Sequence, residues 1–297
     1  MNYTTRLTLF MDLLGFKEIV NKTIVDDNIL SNIYQTLNSI TSEEICREVF
    51  NGLHREIIPK KFPENVPELR ESMMEIVNYM KDESKNKKQN STMSITHFSD
   101  SLVISAEVAD IDSIIAILNL IAKISYRLWE DNGLLTRGGL SIGKLIHEEG
   151  GVLLGPALVQ AYELESKVAI FPRIIVDQSA KLFIEKLDNY SAKLSDLFKK
   201  IETEEREINS GDFLEINLAT CYEHLQNGPY GYTPTVMDRY EKSLREAIPR
   251  LRMMREKESN KRVVEKYDYV IEELKKYIKT ITFWERSIGK RIVLNFD

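Results

Sequence analysis

The order of apolar and polar positions predicts strands and helices in succession. An apolar, β-rich run over 8–14 predicts a buried strand, and a short helix over 16–21 and an amphipathic helix over 27–40 follow it. Two further β-rich runs, 92–98 and 102–106, flank a short polar turn and predict a hairpin. The N-terminal half therefore combines both kinds of element.

The rest of the chain continues this alternation. A helical period over 110–129 ends at an Asn-Gly pair, and a strand pattern over 134–147 follows. Beyond it the pattern predicts a helix, a strand, a helix and a strand, at 157–167, 173–176, 179–187 and 213–218. Residues 237–279 are charged and helical. This order predicts an α+β fold, a sheet layered with helices, and not a doubly wound fold.

Composition and charge narrow the class of protein. The chain has 297 residues, of which 43% are hydrophobic and 29% charged, as is ordinary for a soluble globular protein. A net charge of −6 creates no basic field for nucleic acid or an anionic membrane. No apolar run approaches the roughly 18 residues of a membrane span, and the N-terminus lacks a signal-peptide pattern. We therefore expect a cytoplasmic protein with neither partner.

Two aspartates interrupt the predicted strands. Asp12 lies in FMDLLGF and Asp100 in FSDSLVIS. Alone, Asp12 is interpreted as a cap of the next helix and Asp100 as a turn residue. Together, two carboxylates at the ends of neighbouring strands suit a hard cation, because Mg²⁺ takes one or two carboxylates plus substrate phosphates. The pair predicts a divalent-metal site.

Four segments resemble motifs of class III nucleotidyl cyclases and occur in that family's order. They are FMDLLGF, FSDS, RGGLSIG and GPALVQAYELE. The combination is most similar to the pyrimidine cyclases of bacterial Pycsar anti-phage systems. The resemblance implies a ferredoxin-like βαββαβ core with helices on one face of the sheet. It also implies a catalytic domain over 1–220, with an insertion at about 42–90, and a C-terminal helical extension over 221–297.

The same resemblance implies an activity, cofactors and partners. A homodimer would convert UTP or CTP to the cyclic nucleotide, which would activate a separate effector protein in anti-phage defence. Two Mg²⁺ or Mn²⁺ ions would be held by Asp12, Asp100 and the backbone carbonyl of Leu13. Phe16, which ends the first motif, is a candidate substrate-binding residue.

Several positions depart from the family's pattern. Its transition-state Asn and Arg fall on Val159 and Glu163, which cannot neutralise a triphosphate. Its adenine-reading Lys and Asp fall on Thr96 and Val152. Thr96 and Val152 remain candidate substrate-binding positions, and the loss of the Lys–Asp pair is the reason to expect poor use of ATP.

Three basic residues are candidates for the missing positive charge. Arg137 and Lys144 are predicted to act in catalysis and Lys167 to bind substrate, since lysine binds phosphate as a point charge. A structural salt bridge from Arg137 to Glu163 or Glu165 is an equally good interpretation. Two other functions stay open: a catalytically inactive cyclase-like binding module, and a palm-type enzyme that makes a dinucleotide, although no GGDEF-type turn occurs.

Overall fold

A computed structural model describes residues 2–40, 90–187, 194–201, 213–227 and 234–288. The predicted insertion lies outside the described residues, apart from residue 90. The described strands are β1 Thr4–Leu14, β2 Ser94–Phe98, β3 Ser101–Glu107, β4 Leu135–His147, β5 Leu153–Leu154, β6 Arg173–Val176, β7 Lys199–Lys200 and β8 Leu214–Asn217. The described helices are α1 Phe16–Thr23, α2 Asp27–Ile40, α3 Ile111–Asn132, α4 Pro156–Glu163, α5 Gln178–Leu187, α6 Leu218–Asn227, α7 Pro234–Lys257 and α8 Lys261–Ile288. A π-helical turn, Leu164–Val168, continues α4.

The strands form one mixed sheet. Its order is β2-β3-β1-β4-β6-β8-β7, with β5 paired to the end of β4. Neighbouring strands are antiparallel except for β4 and β6, which are parallel. The prediction of a mixed fold of sheet and helices is confirmed.

Alternate residues of β1 face opposite sides of the sheet. Leu7, Leu9 and Met11 lie in the main apolar core, which also contains the buried residues of α3. Phe10 points to the other face, where it packs with Ala161 of α4. Helices therefore cover both faces, and the prediction of helices on one face only is wrong.

Glycine on β4 explains the second layer of helix. A Cβ atom on Gly139 would lie 2.1 Å from the carbonyl oxygen of Ala161, so α4 packs directly on the backbone of β4. At Gly143 the same atom would meet the Cβ of Ala157 at 3.2 Å. The absence of side chains at these two positions lets α4 lie close to the strand that carries Arg137.

The C-terminal helices share the main core with the sheet. Leu225 of α6, Leu251 of α7 and Leu274 of α8 are buried in the same cluster as β1. The predicted boundary between residues 220 and 221 falls inside α6. The division into a catalytic domain and an extension stays a prediction. Among the described helices, none has both the length and the apolar content to cross a membrane.

Candidate metal and nucleotide site

Asp12 and Asp100 lie at the same end of two adjacent strands. Asp12 on β1 is opposite Ser101 on β3, and Asp100 is the turn residue just before Ser101. The backbone N–H of Leu13 donates to the carbonyl oxygen of Asp100 at 2.9 Å, which ties the hairpin turn to β1. Ser99, the other residue of the turn, has a φ of 54°, a left-handed conformation that is unusual for a residue with a Cβ atom.

The electrostatics of Asp12 reflect this proximity. Burial raises the pKa of Asp12, the positive charge and hydrogen bond of Arg137 lower it, and the negative charge of Asp100 raises it further. A divalent cation between the two carboxylates would offset the cost of burying the charge of Asp12 and the repulsion between Asp12 and Asp100. Two oxygen donors of this kind suit Mg²⁺ or Mn²⁺ when the substrate's phosphates supply further oxygens.

Arg137 bridges two carboxylates. It lies opposite Asp12 in the β1–β4 pairing. Its Nε donates to Oδ2 of Asp12 at 3.1 Å and lies 2.6 Å from Oε1 of Glu165. Of the two salt-bridge partners that the sequence allowed for Arg137, the structure thus forms the one with Glu165. Glu163 instead pairs with Lys167 at 2.6 Å. Asp12 can give both oxygens to a cation only if Arg137 moves away from Oδ2.

The sequence named Glu165 only as an alternative to Glu163 in a salt bridge with Arg137. Only 3% of the residue is exposed. Burial raises the pKa of Glu165, Arg137 opposes that rise, and Asp12 adds to it. The π-helical turn places the side chain there, and such turns are frequent at functional sites. One signal was available: Glu165 follows Ala161 by four residues, so both share the buried face of the helix.

A row of polar residues crosses the sheet at this end. It begins with Ser101 of β3 and Asp12 of β1, and continues to Arg137 of β4. Arg173 of β6 follows, since the residues after Arg137 and Arg173 pair directly. Asn217 of β8 completes the row. Helices cover both faces of this sheet, and apolar residues are usual at central positions of a sheet covered on both sides, so this row marks a polar site.

Two of the predicted basic residues lie elsewhere. Lys144 is opposite Thr5, and its Nζ is 3.0 Å from Oγ1 of Thr5. Seven residues of β4 separate it from Arg137, about 23 Å along a strand. Within one chain, Lys144 therefore cannot act on a substrate at Asp12. Lys167 has 68% of its side chain exposed and pairs with Glu163, so it is not part of the Arg137 cluster either.

The predicted substrate-binding residues are also separated. Phe16 packs against the main apolar core. Thr96 lies beside His147, with its Oγ1 2.9 Å from Nε2 of His147. Val152 is 45% exposed and follows His147 in the β4–β5 connection, where its carbonyl accepts from Glu148. Thr96 and Val152 thus lie near one another, whereas Phe16, at the start of α1, is partly exposed and packs against the main core.

The predicted metal ligands reduce to two carboxylates. In the described part of the chain, no group of three or more His, Cys, Asp or Glu residues is arranged to hold a metal ion. The main chain of Leu13 is close because its N–H is bonded to the hairpin turn, and its side chain is buried. Asp12 and Asp100 are therefore the residues that fit a divalent ion, with the remaining ligands left to substrate and water.

Comparisons with known proteins find similarity only among solved structures. No protein-family model matches the sequence, and no curated protein is significantly similar to it. Among solved structures, one described as the structure of a bacterial light-regulated adenylyl cyclase is similar over 81% of this chain and 100% of its own. The identity is 12% and the TM-score 0.38. At that score, function has to be argued from the side chains of the site.

Proposed function

We propose that the protein is a nucleotidyl cyclase that converts UTP or CTP to the 3′,5′-cyclic nucleotide and pyrophosphate. The observation that carries the proposal is the convergence of Asp12 and Asp100 on adjacent strand ends, beside the guanidinium of Arg137. The strand order β2-β3-β1-β4 supports a ferredoxin-like core for the first four long strands. The role in anti-phage signalling through a separate effector follows from the sequence resemblance.

The residues of the site suit this reaction. Asp12 and Asp100 would hold two Mg²⁺ or Mn²⁺ ions, which supply activation of an oxygen nucleophile and charge neutralisation of a leaving pyrophosphate. Arg137 would leave Oδ2 of Asp12 and bind a phosphate oxygen. The ribose 3′-oxygen forms a bond to the α-phosphorus, the bond from that phosphorus to the pyrophosphate oxygen breaks, and the 3′-hydroxyl proton passes to solvent.

The proposed activity calls for a second copy of the chain, which would complete the site. Val159 and Glu163, the positions of the family's Asn and Arg, lie on the exposed side of α4. Large apolar residues are exposed around them, including Leu154, Tyr162 and Ile170. We expect a homodimer through this surface, in which the partner supplies basic groups such as its own Lys144. Light scattering that finds only monomer at working concentration would exclude this arrangement.

The proposed choice of base starts from the absence of the family's adenine-reading Lys and Asp, whose positions are occupied by Thr96 and Val152. Thr96 and Val152 carry no charge, and the hydroxyl of Thr96 is already engaged with His147. Leaving a polar group of adenine unpaired on burial costs about 1–3 kcal/mol. One or two such penalties would disfavour ATP about ten- to several-hundred-fold. The expectation that UTP or CTP is used instead comes from the sequence resemblance.

One assay tests the function. Purified protein is incubated with the four nucleoside triphosphates at equal concentration and Mn²⁺, and products are identified by mass spectrometry. Cyclic UMP or cyclic CMP is expected, and Asp12→Ala or Asp100→Ala should abolish it, as should chelation of the metal. Asp27→Ala, at an exposed carboxylate on α2, is the matched control. Wild-type turnover in both site variants would exclude this site.

A catalytically inactive binding module is the second candidate. It is favoured by the ion pair that occupies Asp12, and by the absence of Asn and Arg on α4. In the same assay, this candidate predicts no product while nucleotide remains bound. A dominant cyclic AMP or cyclic GMP peak would instead keep the cyclase chemistry and reject the proposed base.

A further inference from the structure

The C-terminal helix α8 lies along the polar row of the sheet. Tyr269 of α8 donates its hydroxyl to Oε1 of Glu215 on β8 at 3.0 Å. Its ring stacks on Phe171 with the centroids 4.8 Å apart. The guanidinium of Arg173 lies 5.6 Å from the Phe171 centroid and 5.8 Å from that of Tyr269. These contacts fix one turn of α8 over β6 and β8.

A second turn of α8 is fixed at the far edge of the sheet. Oε2 of Glu273 accepts from Nζ of Lys199 on β7 at 2.7 Å and from Nδ2 of Asn217 on β8 at 3.2 Å. Glu273 is 7% exposed. Tyr269 and Glu273 are four residues apart, so both lie on one face of the helix. The helix axis therefore runs across the strands, from β7 and β8 toward β6.

The next residue on that face in the N-terminal direction is Lys266. It precedes Tyr269 by one turn, a rise of about 4.5 Å, which is close to the spacing of about 4.8 Å between neighbouring strands. One turn thus carries the helix from β6 to β4, where Arg137 stands. The electrostatic neighbours of Lys266 agree: Arg137 repels its charge, and Asp12 and Glu165 attract it.

Lys266 reaches this position without a direct partner. It is half-buried, and in the described part of the chain it makes no hydrogen bond or ion pair. Burial lowers the pKa of Lys266 and Arg137 lowers it further, while Asp12 and Glu165 oppose the shift. The nearby carboxylates of Asp12 and Glu165 both form ion pairs with Arg137. A partly desolvated ammonium that lacks a direct anion favours an anionic ligand.

We propose that Lys266 binds the polyphosphate of the nucleotide and thereby makes α8 part of the substrate site. The proposal rests on the proposed function, because it takes the ligand to be a nucleoside triphosphate at Asp12 and Asp100. Lysine serves phosphate as a point charge, so it needs no fixed bidentate geometry. Lys266 supplies a positive charge that α4 lacks, because α4 carries Glu163 where the resembled family has a basic residue.

The test compares charge with length at this position. Lys266→Met removes the charge and keeps a long side chain, and Lys266→Arg keeps the charge. Lys279→Met, at an exposed lysine three to four turns further along α8, is the matched control. Binding of inorganic tripolyphosphate in the presence of Mn²⁺ is measured by titration calorimetry, and KM and kcat are measured separately.

The expected result is a loss of tripolyphosphate binding that depends on the charge at position 266. Lys266→Met should weaken tripolyphosphate binding by about ten- to a hundredfold, the range for one hydrogen bond to a charged group. KM should rise more than kcat falls. Lys279→Met should stay within about threefold of wild type, and Lys266→Arg should bind tripolyphosphate more tightly than Lys266→Met does. A thermal melt of Lys266→Met at or above that of wild type shows that folding is intact, since removing an unpaired half-buried charge does not destabilise.

The outcomes separate this inference from the proposed function. If wild type binds tripolyphosphate through Lys266 but forms no cyclic product, the inference holds and the cyclase activity does not. If wild type forms cyclic nucleotide and Lys266→Met binds and turns over as wild type does, the inference is overturned and the cyclase stands. Failure of wild type to bind tripolyphosphate also overturns it.

Discussion

Replacing Glu223 by glutamine should stabilise the protein at pH 8 and change it little near pH 5. Glu223 lies on α6, half-buried against α8. Burial raises the pKa of Glu223 from its ordinary value of 4.5 to about 7, and the negative charge of Asp196 adds to the rise. Its charge in turn acts on Tyr277 of α8, whose hydroxyl donates to Gln226. The carboxyl therefore titrates at the contact that holds α8 in the core.

The sign and size follow from the two pKa values. Between pH 4.5 and about 7 the folded protein binds a proton at Glu223 that the unfolded chain has released. The stabilisation that Glu223 contributes is therefore fully present below pH 4.5 and is lost as the pH rises through 7. The difference between the folded and unfolded pKa of Glu223 corresponds to a loss of roughly 3 kcal/mol in the free energy of unfolding at pH 8, because one pKa unit is worth about 1.4 kcal/mol. At pH 5 less than about 1 kcal/mol has been lost.

Urea unfolding at pH 5, 6, 7 and 8 measures this effect. Glu223→Gln should exceed wild type in free energy of unfolding by an amount that grows with pH, toward roughly 2–3 kcal/mol, with an unchanged m-value. Glu185→Gln, at an exposed carboxylate on α5, is the control and should show no such trend. A difference between Glu223→Gln and wild type that is independent of pH would refute the reasoning.

Three further predictions concern other parts of the fold. His147 should act with the opposite sign to Glu223: burial, with help from Arg6, lowers its pKa to about 4, so its stabilising contribution should fall by up to roughly 3 kcal/mol between pH 6.5 and 4. In urea unfolding, the wild-type minus His147→Gln difference in free energy should fall by that amount over this range, because the opposing contribution of Glu223 is present in both proteins and cancels. Gly139→Ala should cost about 3 kcal/mol or more in urea unfolding, since the new Cβ would overlap α4, whereas Gly143→Ala should cost less; equal costs would contradict this packing. Ser99→Gly should raise the free energy of urea unfolding by up to ~1 kcal/mol, because left-handed strain is relieved, and a decrease would contradict it.

Local pattern in the sequence predicted most of the elements. The bounds of α2 and β6 agree with the predicted 27–40 and 173–176, because each has a clear period and a distinct end. Asp110 caps α3, with its side chain accepting from the N–H of Ser113, and Gly133 ends that helix at a φ of 68°. The hairpin also followed from local signals, whereas the pairing of β1 with β3 that brings Asp12 and Asp100 together is long-range.

Lys144 shows where the reasoning from sequence was incomplete. The predicted strand over 134–147 already contained both Arg137 and Lys144, seven residues apart. A strand rises about 3.3 Å per residue, so the two side chains could not meet one substrate within a single chain. The family resemblance implies that basic residues replace the missing Arg, but the spacing of the strand excludes Lys144 from that role within one chain.

Local pattern placed Glu165 only on the buried face of its helix, and it did not place Lys266 at all. The position of Glu165 depends on a π-helical turn, whose one-residue shift leaves no periodic signal of its own. The position of Lys266 depends on how a helix more than 90 residues beyond the sheet's central strands crosses them. That crossing is set by Tyr269 and Glu273, which contact partners over 50 residues away in the chain.

The two sides of α8 limit how its role can be studied. Val270, Leu274 and Ile278 fill the main core, while Tyr269 and Glu273 bind the polar row. Deleting the chain beyond residue 220 would therefore remove part of the core together with Lys266, and would cut through α6. Loss of activity in such a truncation could not distinguish an unfolded sheet from a missing phosphate ligand. Because the apolar and polar faces of one helix serve different purposes, only substitutions on the polar face, in a chain that keeps its core, can separate them.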